Sequence, residues 1–175
     1  MMRAAVATAA MLALVAMPAA AQQRPCLSNM EAEAIALVAL PDIIRETGRV
    51  CAASLSTDSL VRRTTGPFIA KYQAAADRAW PAARIAIGKL SDPAVTLLLQ
   101  SEYARPLLTT LVAPLVVGRI ATSDCPTLDR LAADLAPLPA RNTAGLIVTT
   151  IRFLKAEKAR NPRGVTIPDL PVCPL

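Results

Sequence analysis

Four cysteines, Cys26, Cys51, Cys125 and Cys173, carry the most specific chemical signal in the sequence. An even number of thiols in an exported chain reads as disulfides. No C-x-x-C spacing points instead to a redox pair or a four-thiolate metal site. Three pairings are open. If Cys26 precedes one helix and Cys51 closes the next, an antiparallel hairpin brings those ends together, and the last helix would likewise return Cys173 toward Cys125. The expected bonds are therefore Cys26–Cys51 and Cys125–Cys173, with no metal and no cofactor.

A second signal is basic. Residues 22–140 hold 12 Lys and Arg against 11 Asp and Glu. Residues 141–175 hold Arg141, Arg152, Lys155, Lys158, Arg160 and Arg163 against only Glu157 and Asp169. Arg152, Lys155 and Lys158 recur every third residue, which puts them on one side of a helix. That row is the expected binding site, a docking surface for an anionic envelope component or an acidic protein, and otherwise a solvated face whose cations complement the helix C-terminus.

Candidate catalytic groups are few. The sequence has no His, which removes the general base of Ser-His-Asp and Cys-His systems and the commonest metal ligand. Glu102 lies in the apolar run Val95–Tyr103, within i,i+3 reach of Arg105, and Asp77 lies near Trp80. A carboxylate on an apolar helix could serve as an acid if its surroundings raised its pKa. One Trp, two Tyr and two Phe make nucleic acid a poor partner. A binding or interaction role is favoured, with a small carboxylate-dependent hydrolase of the envelope as the alternative.

The elements that must position these groups begin after a leader. Residues 1–21 read as a cleaved secretory signal: Arg3, then an apolar stretch from Ala4 to Met17, then Ala19-Ala20-Ala21 before Gln22. Bacterial export to the periplasm or outside follows, with no transmembrane anchor after cleavage, because the apolar stretch is short of the roughly 20 residues a spanning helix needs. Arg3 is the leader's only charge, so of 19 basic and 13 acidic side chains in the chain it removes one basic.

Beyond the leader the apolar period is helical nearly everywhere. Leu27–Leu40 and Asp42–Leu55 read as a hairpin jointed at Pro41, with Ser28 as an N-cap. Pro67 opens a helix that Pro81 kinks or restarts and that ends near Gly88-Lys89-Leu90. Asp92-Pro93 starts the next, with an acidic cap before a first-position proline. Leu107–Val117 is expected as the buried central element of the core. A helix starts at Cys125-Pro126 with Leu128, Leu131 and Leu135 inward, and a last one runs from about Thr143 to Arg160. The whole reads as an all-α, single-domain bundle of six or seven short, proline-punctuated helices with two disulfides. Its helical domain covers residues 22–160, and residues 161–175 form an extended Pro-rich tail pinned by Cys173.

Overall fold

The computed structural model describes residues 25–164, 167 and 170–174, so the leader lies outside the described residues. Six helices form: α1 (Asn29–Val50), α2 (Pro67–Leu90), α3 (Pro93–Leu98), α4 (Ala104–Val117), α5 (Cys125–Leu135) and α6 (Ala140–Arg160). No strand is present among the described residues, and the only extended pairing is a parallel bridge between Leu27 and Val172.

Helix α1 is the hub, packed against α2, α4 and α6. Its start is the one the sequence indicates. The Ser28 hydroxyl accepts from the Glu31 N–H, and the Glu31 carboxylate accepts from the Ser28 N–H at 2.7 Å. This reciprocal cap satisfies two of the donors that every helix start leaves free. Lys89 at the end of α2 reaches the same carboxylate at 3.0 Å, tying the two helices together. The backbone bond from Ser28 and the Lys89 partner hold the Glu31 carboxyl below the ordinary carboxylate range.

The expected hairpin at Pro41 does not form. Helix α1 runs through Pro41 as one rod of 22 residues, with Pro41 itself buried. A proline removes one backbone hydrogen bond, but here its ring is pressed into the core, and packing outweighs the local break. Helices α2 and α4 likewise continue through Pro81 and Pro114, whereas Pro106 sits in the first turn of α4. Prolines do begin α2 and α3, where the missing N–H costs nothing, and Asp92 caps α3 by accepting from the Val95 N–H at 3.0 Å.

The long α1 rod changes the disulfides. At 1.5 Å per residue it is about 33 Å long, so Cys26 before it and Cys51 after it sit at opposite ends, far beyond the roughly 4.4–6.8 Å between Cα atoms that a disulfide spans. The bonds are Cys26–Cys173, with Cα atoms 5.0 Å apart, and Cys51–Cys125, at 5.6 Å. The first staples the tail to the entrance of α1. There the Leu27 N–H donates to the Pro171 carbonyl at 2.7 Å and the Cys173 N–H to the Leu27 carbonyl at 2.9 Å.

The core is thin and alanine-rich. One cluster joins Leu40, Tyr72, Ala75, Ala140 and Ala144, and others surround Ala86 with Val148 and Ala83 with Val38. Tyr72 is the largest fully buried side chain, and its hydroxyl shares a hydrogen bond with Thr143 at 3.2 Å. Such small side chains let backbones approach closely. At Gly48 a Cβ would overlap the Val61 carbonyl, so this glycine is required by the contact between α1 and the short helical turn Leu60–Arg62.

Helix α4 corrects the expected burial. Its inward side is Thr109, Ala113 and Val117, while Leu107, Leu111 and Leu115 are 58, 59 and 73% exposed. Helix α5 is peripheral: Leu131 is exposed, Leu128 and Leu135 are partly covered, and Cys125 is its one buried residue. No single described helix is long and apolar enough to cross a membrane. Only α4 together with Thr122–Leu135 passes on length and composition, and that pair is bent by 90°.

Candidate functional site

The basic row does not stand free. Arg152 donates to Asn29 Oδ1 and, at 3.0 Å, to the Pro174 carbonyl. Lys155 donates to the Leu170 and Val172 carbonyls at 2.6 and 3.1 Å, and Lys158 to the Ile167 carbonyl at 2.9 Å. The acceptors are carbonyls of described tail residues that belong to no helix, and Pro171 and Pro174 among them have no N–H to offer. The three cations are half-buried against the tail and act as a clamp. Beside them remains a hollow of about 180 Å³ lined by Arg152, Lys155, Cys173 and Pro174.

A row that clamps the tail contributes to stability. Arg152→Gln, Lys155→Gln and Lys158→Gln together are expected to cost about 2 kcal/mol, the sum of several charge-assisted bonds discounted for solvent exposure. Urea denaturation measures it. An unchanged midpoint would return these residues to the role of a solvated face.

The carboxylates form a surface network. Arg105 reaches Asp77 at 2.6 Å rather than its neighbour Glu102. Gln73 then links Asp77, at 3.4 Å, to Arg45, at 3.0 Å, and Arg45 pairs with Asp42 at 2.9 Å. Arg105 beside Asp77 holds that carboxyl below its ordinary range, so it is an ionised partner and a poor proton donor. Glu102 lines an open hollow of about 540 Å³ with Asp42, Arg45, Arg105 and Thr109. Arg84 borders a different hollow with Thr96 and Gln100.

A further hollow lies elsewhere. A groove of about 650 Å³ runs between α1, α2 and the start of α6. Its lining is mostly small and apolar, with Ala34, Ala75, Ala79 and Ala140 among the residues that form it. It exists because alanines from three helices meet where larger side chains would have filled the space. Lys71, Arg78 and Arg141 border it against a single acid, Glu33. Glu33 contacts Arg141 only at 3.9 Å, and that arginine's side chain is 76% exposed. Arg78 makes no ion pair among the described residues.

Lys71 is placed by α5. Its ammonium donates to the Ala136 carbonyl and, at 2.8 Å, to the Leu138 carbonyl, closing the open end of that helix. It also lies 4.8 Å from the centre of the Tyr72 ring. Burial pushes the Lys71 ammonium below the ordinary lysine range. It is a fixed positive wall, while Arg78 and Arg141 keep donors available.

The described residues contain no group of three or more acids or cysteines placed to hold a metal ion. All four thiols are taken up in disulfides. No family model, no curated protein and no solved structure matches the chain.

Proposed function

We propose that this is an exported, non-catalytic binding protein of the cell envelope, and that it takes an anionic amphiphile, an acidic head on an aliphatic chain, in the groove between α1, α2 and α6. The observation that carries the reading is the groove itself: an alanine-lined volume of about 650 Å³ with three cations and one carboxylate at its border. That volume falls in the roughly 300–1,000 Å³ of small-molecule sites. The apolar lining suits a hydrocarbon chain, and Arg78 and Arg141 suit its acidic head. The leader sequence and two disulfides support export to the periplasm or beyond. The hydrolase alternative has one supporting feature, the shared hollow of Glu102 and Asp42. Asp42 is tied to an arginine there, which favours binding over acid–base chemistry.

The single Trp supplies a reporter. Trp80 packs with Ala79 against the Ala34–Val38–Ala83 cluster, and Ala34 and Ala79 also line the groove. Titration with dodecanoate should change Trp80 emission saturably, and dodecanol should bind about tenfold more weakly, a difference of 1.4 kcal/mol. Arg78→Gln with Arg141→Gln should erase that preference. Ala74→Phe with Ala82→Phe, at two exposed positions of the lining, should block binding without unfolding the protein. Saturable binding of dodecanoate to the filled variant, or none to the parent, would overturn the assignment.

A further inference from the structure

Helix α4 turns its largest apolar side chains away from the core. The side it buries against α1 is narrow and small, Thr109, Ala113 and Val117, which recur every fourth residue. Outward, Tyr103, Leu107, Leu111 and Leu115 also recur every fourth residue and form one ridge, flanked by Val112 and Val116. At the exposed fractions of these six side chains the ridge leaves on the order of 600 Å² of mostly apolar surface open to solvent. A monomer's largest apolar patch is typically about 300–600 Å², and a standard protein interface buries about 800 Å² per partner.

We infer that this ridge is a homodimer interface, in which α4 packs antiparallel against α4 of a second copy about a twofold axis through Leu111. Three observations select a second copy over another occupant. The exposed area approaches the roughly 800 Å² that one side of a stable dimer buries. The outward arc from Leu107 to Val116 carries no charged residue, so a twofold axis sets no like charges against each other. The ends of the ridge carry opposite charges: Glu102 precedes it and Arg119 follows it, both exposed and neither in an ion pair within the described chain.

An axis at Leu111 places Leu107 against Leu115 of the partner subunit and brings Glu102 toward Arg119 of the partner subunit. A parallel pair would set Glu102 against Glu102. The antiparallel register is therefore the one in which apolar ridge and charges agree. The interface is separate from the groove proposed above, and neither depends on the other.

Sedimentation equilibrium of the oxidised mature protein should give twice the chain mass at micromolar concentration. Leu111→Glu, at a site 59% exposed, should give a single chain with an unchanged helical circular dichroism spectrum. Glu102→Arg should weaken the dimer about tenfold, since two exposed pairs become repulsive, and adding Arg119→Glu should restore it. Leu111→Cys should yield a reducible cross-linked dimer, whereas Arg130→Cys on α5 should not. A single-chain mass for the parent at 100 micromolar in the assay would overturn the inference. So would failure of the second charge reversal to rescue the first, or binding of the parent as a monomer to phosphatidylglycerol vesicles through Leu111.

Discussion

A Cys26→Ser, Cys173→Ser variant should lose about 5 kcal/mol of stability. The bond closes a segment of 147 residues, and the loop-entropy relation gives about 5 kcal/mol for a loop of that length. The native contacts it leaves behind are modest: two backbone bonds between Leu27 and the tail, and the carbonyl contacts of Arg152, Lys155 and Lys158. Buried Leu27 and Val172 share one cluster with Ala32, Ala86 and Val148, so release of the tail also opens one end of the core. A melting temperature lower by roughly 10–20 °C is expected for a chain of this size. A drop of less than about 3 °C would mean the tail is held by its noncovalent contacts alone.

Why the sequence pointed to other cysteine partners is instructive. Helix starts were legible because their chemistry is local: Ser28 with Glu31, Pro67, and Asp92 with Pro93 each act within one turn. Helix ends at proline were not, because the cost of a proline inside a helix is a few kcal/mol and packing can exceed it. Pro41 shows this: burial in the core kept α1 whole, and the pairing deduced from a hairpin failed with the hairpin.

The burial of α4 failed for a related reason. Leu107–Val117 is apolar all round, and hydropathy cannot say which arc a neighbour covers. Helix α1 accepts only a close-packed side, so Thr109 and Ala113 went in and the leucines stayed out.

The candidate sites were legible in part. The spacing of Arg152, Lys155 and Lys158 does put them on one side of α6, but their acceptors are carbonyls of a tail whose course no periodicity gives. The prolines and Cys173 in residues 161–175 were the available hint. The groove left almost no trace in sequence, since Ala34, Ala79 and Ala140 come from three helices and alanine at each reads as ordinary helix former. Lys71 and Arg78 lie two turns apart on α2, but Arg141 comes from α6 and joins them only once both helices lie beside α1.

The second large effect concerns Cys51–Cys125, and it should be local before it is global. The bond spans 74 residues, for which the loop-entropy relation gives about 4 kcal/mol. Helix α5 depends on it unusually heavily. It begins at Cys125 with no side-chain cap, and it packs mainly on the short turns Leu60–Arg62 and Thr122–Asp124 rather than on a long helix. Its other fastenings are the Ser59 hydroxyl donating to Asp129 at 2.5 Å and Lys71 bonded to the carbonyls after its last turn. In Cys51→Ser, Cys125→Ser the amides of 125–135 should therefore exchange at a free energy several kcal/mol below those of α1 and α2, because a segment with few apolar contacts opens independently once its covalent tie is gone. The wall that Lys71 gives the groove would loosen with it, since two of that ammonium's carbonyl partners move with α5. Hydrogen exchange read by mass spectrometry separates the two outcomes. Residues 125–135 exchanging at the same free energy as α1 would mean that α5 is held by packing, and the disulfide would then be only a global restraint.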